Sequence, residues 1–123
     1  MRTSVRTERG AEMAQLNVQV QEYDGRAVVA VAGEVDFYSV DALRRAVDLG
    51  TEQLTDLVLD LSEMTFMDSA GLGEIVRAYK LVSGRGGRLA VVCSDRIILR
   101  VFRVSGVDLV VDIFESLAEA TAD

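Results

Sequence analysis

From Leu57 to Val82 the chain reads as a buried strand that runs through a turn of small residues into an amphipathic helix. Leu57-Val58-Leu59-Asp60-Leu61 is an apolar run of strand length. Leu72, Ile75, Val76, Tyr79 and Val82 then recur at i, i+3, i+4, i+7 and i+10, which places them on one helical face. Between the two lies Thr65-Phe66-Met67-Asp68-Ser69-Ala70-Gly71-Leu72-Gly73. A serine therefore stands at the opening of a helix, next to a carboxylate and ahead of two glycines. Its hydroxyl is expected beside unpaired first-turn N–H groups and the positive end of the helix dipole, where a phosphate fits with little rearrangement.

The rest of the chain repeats this alternation. Leu16-Asn17-Val18-Gln19-Val20 has the period of two of a half-exposed strand, and Asp24-Gly25 is a hairpin turn leading into the apolar run Ala27–Ala32. Ser39 is a candidate N-cap for a helix that turns Val40, Leu43, Ala46 and Val47 to one side and stops near Gly50. After the second helix, Arg88–Cys93 reads as another buried strand. Ser94 or Asp95 caps a third helix with Ile97, Ile98, Val101 and Phe102 inward, ended by Gly106. Leu109–Ile113 is a short strand, and Ser116-Leu117-Ala118-Glu119 has capping-box spacing for a final helix. The order β-β-α-β-α-β-α-β-α predicts one α/β domain over residues 15–122. Its sheet is mostly parallel, four- to five-stranded, with an N-terminal antiparallel hairpin and about four covering helices. Residues 1–14 are expected to be a polar, flexible extension.

Composition closes several functional routes. No apolar run approaches the ~20 residues that span a bilayer, and Met1–Ala14 lacks the apolar core of a secretory signal. The expectation is a cytoplasmic protein with no membrane partner. Thirteen basic against twenty acidic residues, a net charge of −7, argue against direct nucleic-acid binding. There is no histidine and one cysteine, Cys93, so the usual zinc sets and Ser–His or Cys–His nucleophiles are not available. Cys93 ends an apolar run and reads as a small core residue. We therefore expect no catalytic residue, no metal and no cofactor.

Three features keep two readings each. Gly71 and Gly73 in a first helical turn each cost about 1 kcal/mol relative to alanine; they either let a partner approach the backbone around Ser69 or permit tight helix–sheet packing. Ser69 is either a modified hydroxyl or simply a cap, a role that Asp68 fills equally well. Arg96, Arg100 and Arg103 share one side of the third helix, as a solvated face or as a dock for an acidic surface.

Phe66-Met67-Asp68-Ser69-Ala70-Gly71-Leu72-Gly73 closely resembles the Asp-Ser-Ser/Thr-Gly-Leu-Gly signature of STAS-domain anti-sigma factor antagonists. Gly33-Glu34-Val35-Asp36 is similar to the Gly-Glu-Leu/Ile-Asp segment that the family carries after its second strand, and Val104-Ser105-Gly106-Val107 to its late Ser/Thr-Gly-Leu turn. The resemblance runs over about residues 16–120 in the right order. It implies an antagonist that, unphosphorylated, binds an anti-sigma factor and so frees a sigma factor. The anti-sigma factor is commonly a serine kinase that phosphorylates the first serine after the motif aspartate, here Ser69, and a PP2C-type phosphatase reverses the step. The implied partner-binding residues are Asp36, Asp68, Ser69, Ala70, Gly71, Leu72 and Gly73. Ala70 departs from the usual second Ser or Thr, leaving Ser69 the sole acceptor in the motif. The alternative within the same fold is a non-catalytic structural or regulatory subunit of a transporter or stress-sensing complex.

Overall fold

Two N-terminal apolar segments pair as a hairpin in the computed structural model, which describes residues 2–6 and 16–122. These are β2 (Leu16–Tyr23) and β3 (Arg26–Val35), joined at Asp24-Gly25. There follow α1 (Val40–Gly50), β4 (Leu57–Met67), α2 (Ser69–Ser83), β5 (Leu89–Val92), α3 (Arg96–Ser105), a 3-10 turn (Val107–Leu109), β6 (Asp112–Phe114) and α4 (Leu117–Thr121). From β2 onward this is the element order expected from the sequence.

One strand was not expected. Arg2–Arg6 forms β1, antiparallel to β2 from Arg2 opposite Gln21 to Arg6 opposite Asn17. For these five residues the reading as a flexible extension does not hold; residues 7–14 lie outside the described ones. The physical reason is the edge that β2 would otherwise present as a row of unpaired N–H and C=O groups, which β1 covers. Thr3 and Val5, β-branched and two apart, suit a strand.

The sheet runs β1-β2-β3-β4-β5-β6 in simple succession, with β3 through β6 parallel. Each right-handed crossover therefore steps the same way, and α1, α2 and α3 fall on one face. There Leu16, Val18, Val29, Val31, Leu57, Leu59, Leu61 and Val91 meet Leu43, Val47, Ile75, Ala78, Val82, Ile98 and Phe102 in one core. On the opposite face Val28, Val58 and Val92 pack under α4 through Ala120 and Leu117. Among the described residues no helix is long and apolar enough to cross a membrane.

Local details differ from the sequence reading where backbone geometry overrides periodicity. β4 continues past Leu61 to Met67 because Met64 is also buried. In α2 the fully buried line is Gly71, Ile75, Ala78 and Val82, with Leu72, Val76 and Tyr79 on its flank. In α3 only Ile98 and Phe102 are buried; Ile97 and Val101, expected inward, are exposed. A three-residue β6 leaves too narrow a floor to cover four apolar positions. Gly106, at φ +84°, ends α3 and turns the chain into the 3-10 turn, which moves the last strand from 109–113 to 112–114.

Candidate functional site

Val35 and Met67 are register partners at the carboxyl ends of neighbouring parallel strands, so Asp36 and Asp68 leave the sheet side by side. Ligand and partner sites of open α/β sheets gather at such strand ends. Gly33 makes the geometry possible. It adopts φ +107° beside an irregularity at which β4 carries an extra residue, Thr65, between the partners of Gly33 and Glu34. The last turn of β3 is thereby re-aimed so that Val35 is buried and Asp36 starts the loop.

Each aspartate organises the start of a helix. Asp68 is the N-cap of α2: its Oδ1 accepts from the N–H of Ala70 (2.8 Å) and Gly71 (3.3 Å), and its carbonyl from Leu72 N–H (3.1 Å). Its Oδ2 accepts from Phe37 N–H at 3.0 Å, while Asp68 N–H donates to the Val35 carbonyl at 3.1 Å. One carboxylate thus ties the β3–α1 loop to the beginning of α2. Asp36 Oδ1 accepts from Tyr38 and Ser39 N–H, both at 2.9 Å. Ser39 holds the N-cap position of α1 but makes no cap bond; it is buried, and its hydroxyl donates to the Glu34 carbonyl and accepts from Asp36 N–H. Asp36 thus fixes the turn that leads into α1, whose first-turn amides receive no side-chain cap.

Ser69 is the first residue inside α2 and is exposed. With Asp68 as cap, the Ser69 hydroxyl is not needed for helix initiation, and among the described residues nothing hydrogen-bonds it. The expectation that a phosphate would settle onto free first-turn amides changes here, because Asp68 already holds two of them. The exposed Ser69 side chain stands next to that fixed carboxylate. Among the described residues no cluster of three or more Asp, Glu or Cys is disposed to hold a metal.

A family model, the STAS domain, matches residues 17–120. An anti-sigma-B factor antagonist of Bacillus subtilis is 35% identical over 98 residues, 80% of this chain and 90% of that protein. An anti-sigma F factor antagonist of Paenibacillus polymyxa is 30% identical over 110 residues, 88% of this chain and 94% of that protein. The crystal structure of an anti-sigma factor antagonist from Mycobacterium paratuberculosis superimposes with a TM-score of 0.78 at 28% identity, covering 85% of this chain and 90% of that one. The chain belongs to the STAS-domain anti-sigma factor antagonist family.

In this STAS domain the two motif glycines part company. A Cβ on Gly71 would lie 2.6 Å from Met67 Cγ and 2.9 Å from Val35 Cγ1, so Gly71 is the packing glycine that lets α2 sit against β3 and β4. It is buried. A Cβ on Gly73 would meet nothing within 4 Å, and Gly73 is exposed. Its cost in helix stability has no packing return inside the domain. Gly73→Ala should stabilise the isolated STAS domain by up to about 1 kcal/mol in urea unfolding, whereas Gly71→Ala should destabilise it by about 1–3 kcal/mol. Of the remaining residues, Ala70 and Leu72 are half-buried, Leu72 against the core.

Three residues of the candidate site escaped the sequence reading. Phe37 and Tyr38 are 73% and 71% exposed, stacked edge to face with centroids 5.4 Å apart, in the loop that Asp68 anchors. Phe66, just before the helix, is half-exposed. Large aromatics held rigidly in solvent are characteristic of protein-binding surfaces. The available signal was an aromatic pair placed directly after Asp36 where a polar turn is usual.

Proposed function

We propose that this chain binds an anti-sigma factor through the surface formed by Asp36, Phe37, Tyr38, Phe66, Ser69, Ala70, Leu72 and Gly73, and thereby frees a sigma factor for transcription. The anti-sigma factor is a serine kinase that uses ATP to phosphorylate Ser69, which ends the interaction, and a PP2C-type phosphatase restores it. The observation that carries this reading is the exposed Ser69 hydroxyl, spared from capping by Asp68 and set among exposed aromatic side chains. Relatives at 30–35% identity that are anti-sigma factor antagonists support it.

The switch follows from charge. A phosphoserine adds roughly −1.5 to −2 at pH 7. The carboxylate of Asp68 is already fixed beside it, so the phosphate gains little from the helix terminus and keeps its water. A partner packed over Phe37, Tyr38 and Ser69 must strip that water or withdraw. The domain itself has no reason to refold, because every hydrogen bond that builds the site is made without Ser69 Oγ.

Incubation with the cognate anti-sigma kinase and ATP, followed by mass spectrometry, tests the assignment. One phosphate on Ser69 in wild type and none in Ser69→Ala is expected. An unmodified wild-type chain would overturn it and favour a structural or regulatory STAS subunit instead.

A further inference from the structure

Helix α3 buries only Ile98 and Phe102 and shows solvent two distinct lines of side chains. Ile97 and Val104 are 78% and 79% exposed, and Val101 is exposed between them. At i, i+4 and i+7 these three fall within about 60° of one another around the helix. Leu109 and Val110, both exposed, follow in the turn that packs against α3, at the end of the sheet where β6 is the edge strand. Beside the apolar line run Arg96, Arg100 and Arg103, all exposed, and among the described residues no carboxylate pairs with them. Exposed apolar side chains are normally scattered singly; five large ones within fourteen residues, edged by three unpaired cations, are not.

We propose that this face is a second docking surface, separate from the strand ends around Ser69, and that it receives an amphipathic helix of another protein whose apolar side is edged by carboxylates. Charge decides the occupant. A second copy packed antiparallel on α3 about a two-fold axis would set three arginines beside three arginines, and a parallel copy would leave both arginine lines without carboxylates. An anionic membrane must attract a chain whose net charge is −7, and three arginines on one short helix do not offset that. An acidic helix satisfies both lines at once: its apolar side covers Ile97, Val101 and Val104, and its carboxylates take the fork-shaped guanidinium groups. The surface does not depend on the phosphorylation reading.

The test uses the full chain and four probes: a labelled amphipathic helical peptide edged by glutamates, the same peptide edged by lysines, phosphatidylserine-containing vesicles, and sedimentation of the protein alone. The glutamate peptide should bind saturably and at least about tenfold more tightly than the lysine peptide, weakening as salt rises. Ile97→Asp, or Arg96→Glu with Arg100→Glu, should each weaken it by about tenfold or more. Their side chains are exposed, so thermal melts should stay close to wild type. Ser69→Asp should bind the peptide as wild type does, which separates this surface from the proposed phosphosite. Equal affinity for both peptides, no binding of the glutamate peptide, preferential vesicle binding, or self-association abolished by Ile97→Asp would each overturn the proposal.

Discussion

Ser69→Asp is expected to lower affinity for the anti-sigma factor by about 10- to 100-fold, while Ser69→Ala binds at least as tightly as wild type. The exposed Ser69 side chain makes no hydrogen bond among the described residues, so its loss removes nothing from the fold. Adding a carboxylate there puts a second negative charge next to Asp68, whose position is fixed by Ala70, Gly71 and Phe37 N–H. In the free domain both charges remain hydrated. In a complex the new one is covered without a partner, a penalty of about 2–3 kcal/mol, and each 1.4 kcal/mol is a factor of ten. Thermal melts of both variants should match wild type to within about 0.5 kcal/mol, as surface changes do. Titration calorimetry with the purified anti-sigma factor reads the difference. Equal binding by Ser69→Asp and Ser69→Ala would remove the basis for a charge-operated switch.

The second large effect is on stability. Glu74 lies in α2 with only 4% of its side chain exposed, and Arg77 meets both its oxygens at 2.8 Å. The same guanidinium reaches across to Asp48 of α1 at 2.9 Å. The hydrogen bond to Glu74, and then that to Asp48, push the Arg77 pKa further above its already high value. This clamp ties α2 to α1. Arg77→Met leaves a buried carboxylate without its counter-ion and is expected to cost about 3 kcal/mol. Replacing both partners, Glu74→Leu with Arg77→Met, should recover most of that loss, because the desolvation penalty disappears with the charge. Urea unfolding of the two variants measures it. A single-variant loss below about 0.5 kcal/mol would mean that water substitutes for the guanidinium and that the clamp contributes little.

Such a clamp is not visible in sequence periodicity, which registers Glu74 as one more polar helix position. What periodicity captured well was the succession from Leu16 to Thr121, because the buried strands and helix faces are regular and the order of crossovers follows from chain handedness. It failed where one end of the sheet is narrow. Ile97 and Val101 have the spacing of core residues, yet β6 is too short to cover them. It failed also at Arg2–Arg6, where a short, largely polar sequence pairs with β2 through its backbone. At the candidate site, Asp68 and Ser69 were legible as polar residues at a strand-to-helix junction, and Asp36 through the resemblance of Gly33–Asp36 to the family's segment. The division of labour between them was not. Only the three-dimensional structure shows that Asp68 caps α2 and holds Phe37, that Asp36 binds the Tyr38 and Ser39 amides in the turn ahead of α1, and that Gly71 packs while Gly73 does not.

The proposed switch requires that Ser69 carry a charge that repels a partner without altering the domain. The decisive measurement pairs the affinity of stoichiometrically Ser69-phosphorylated protein for the anti-sigma factor with the amide spectrum of that protein in isolation. A loss of about 100-fold or more, with amide shifts confined to residues near 34–40 and 66–74, is the predicted result. Unchanged affinity, or shifts spread across the sheet, would contradict it.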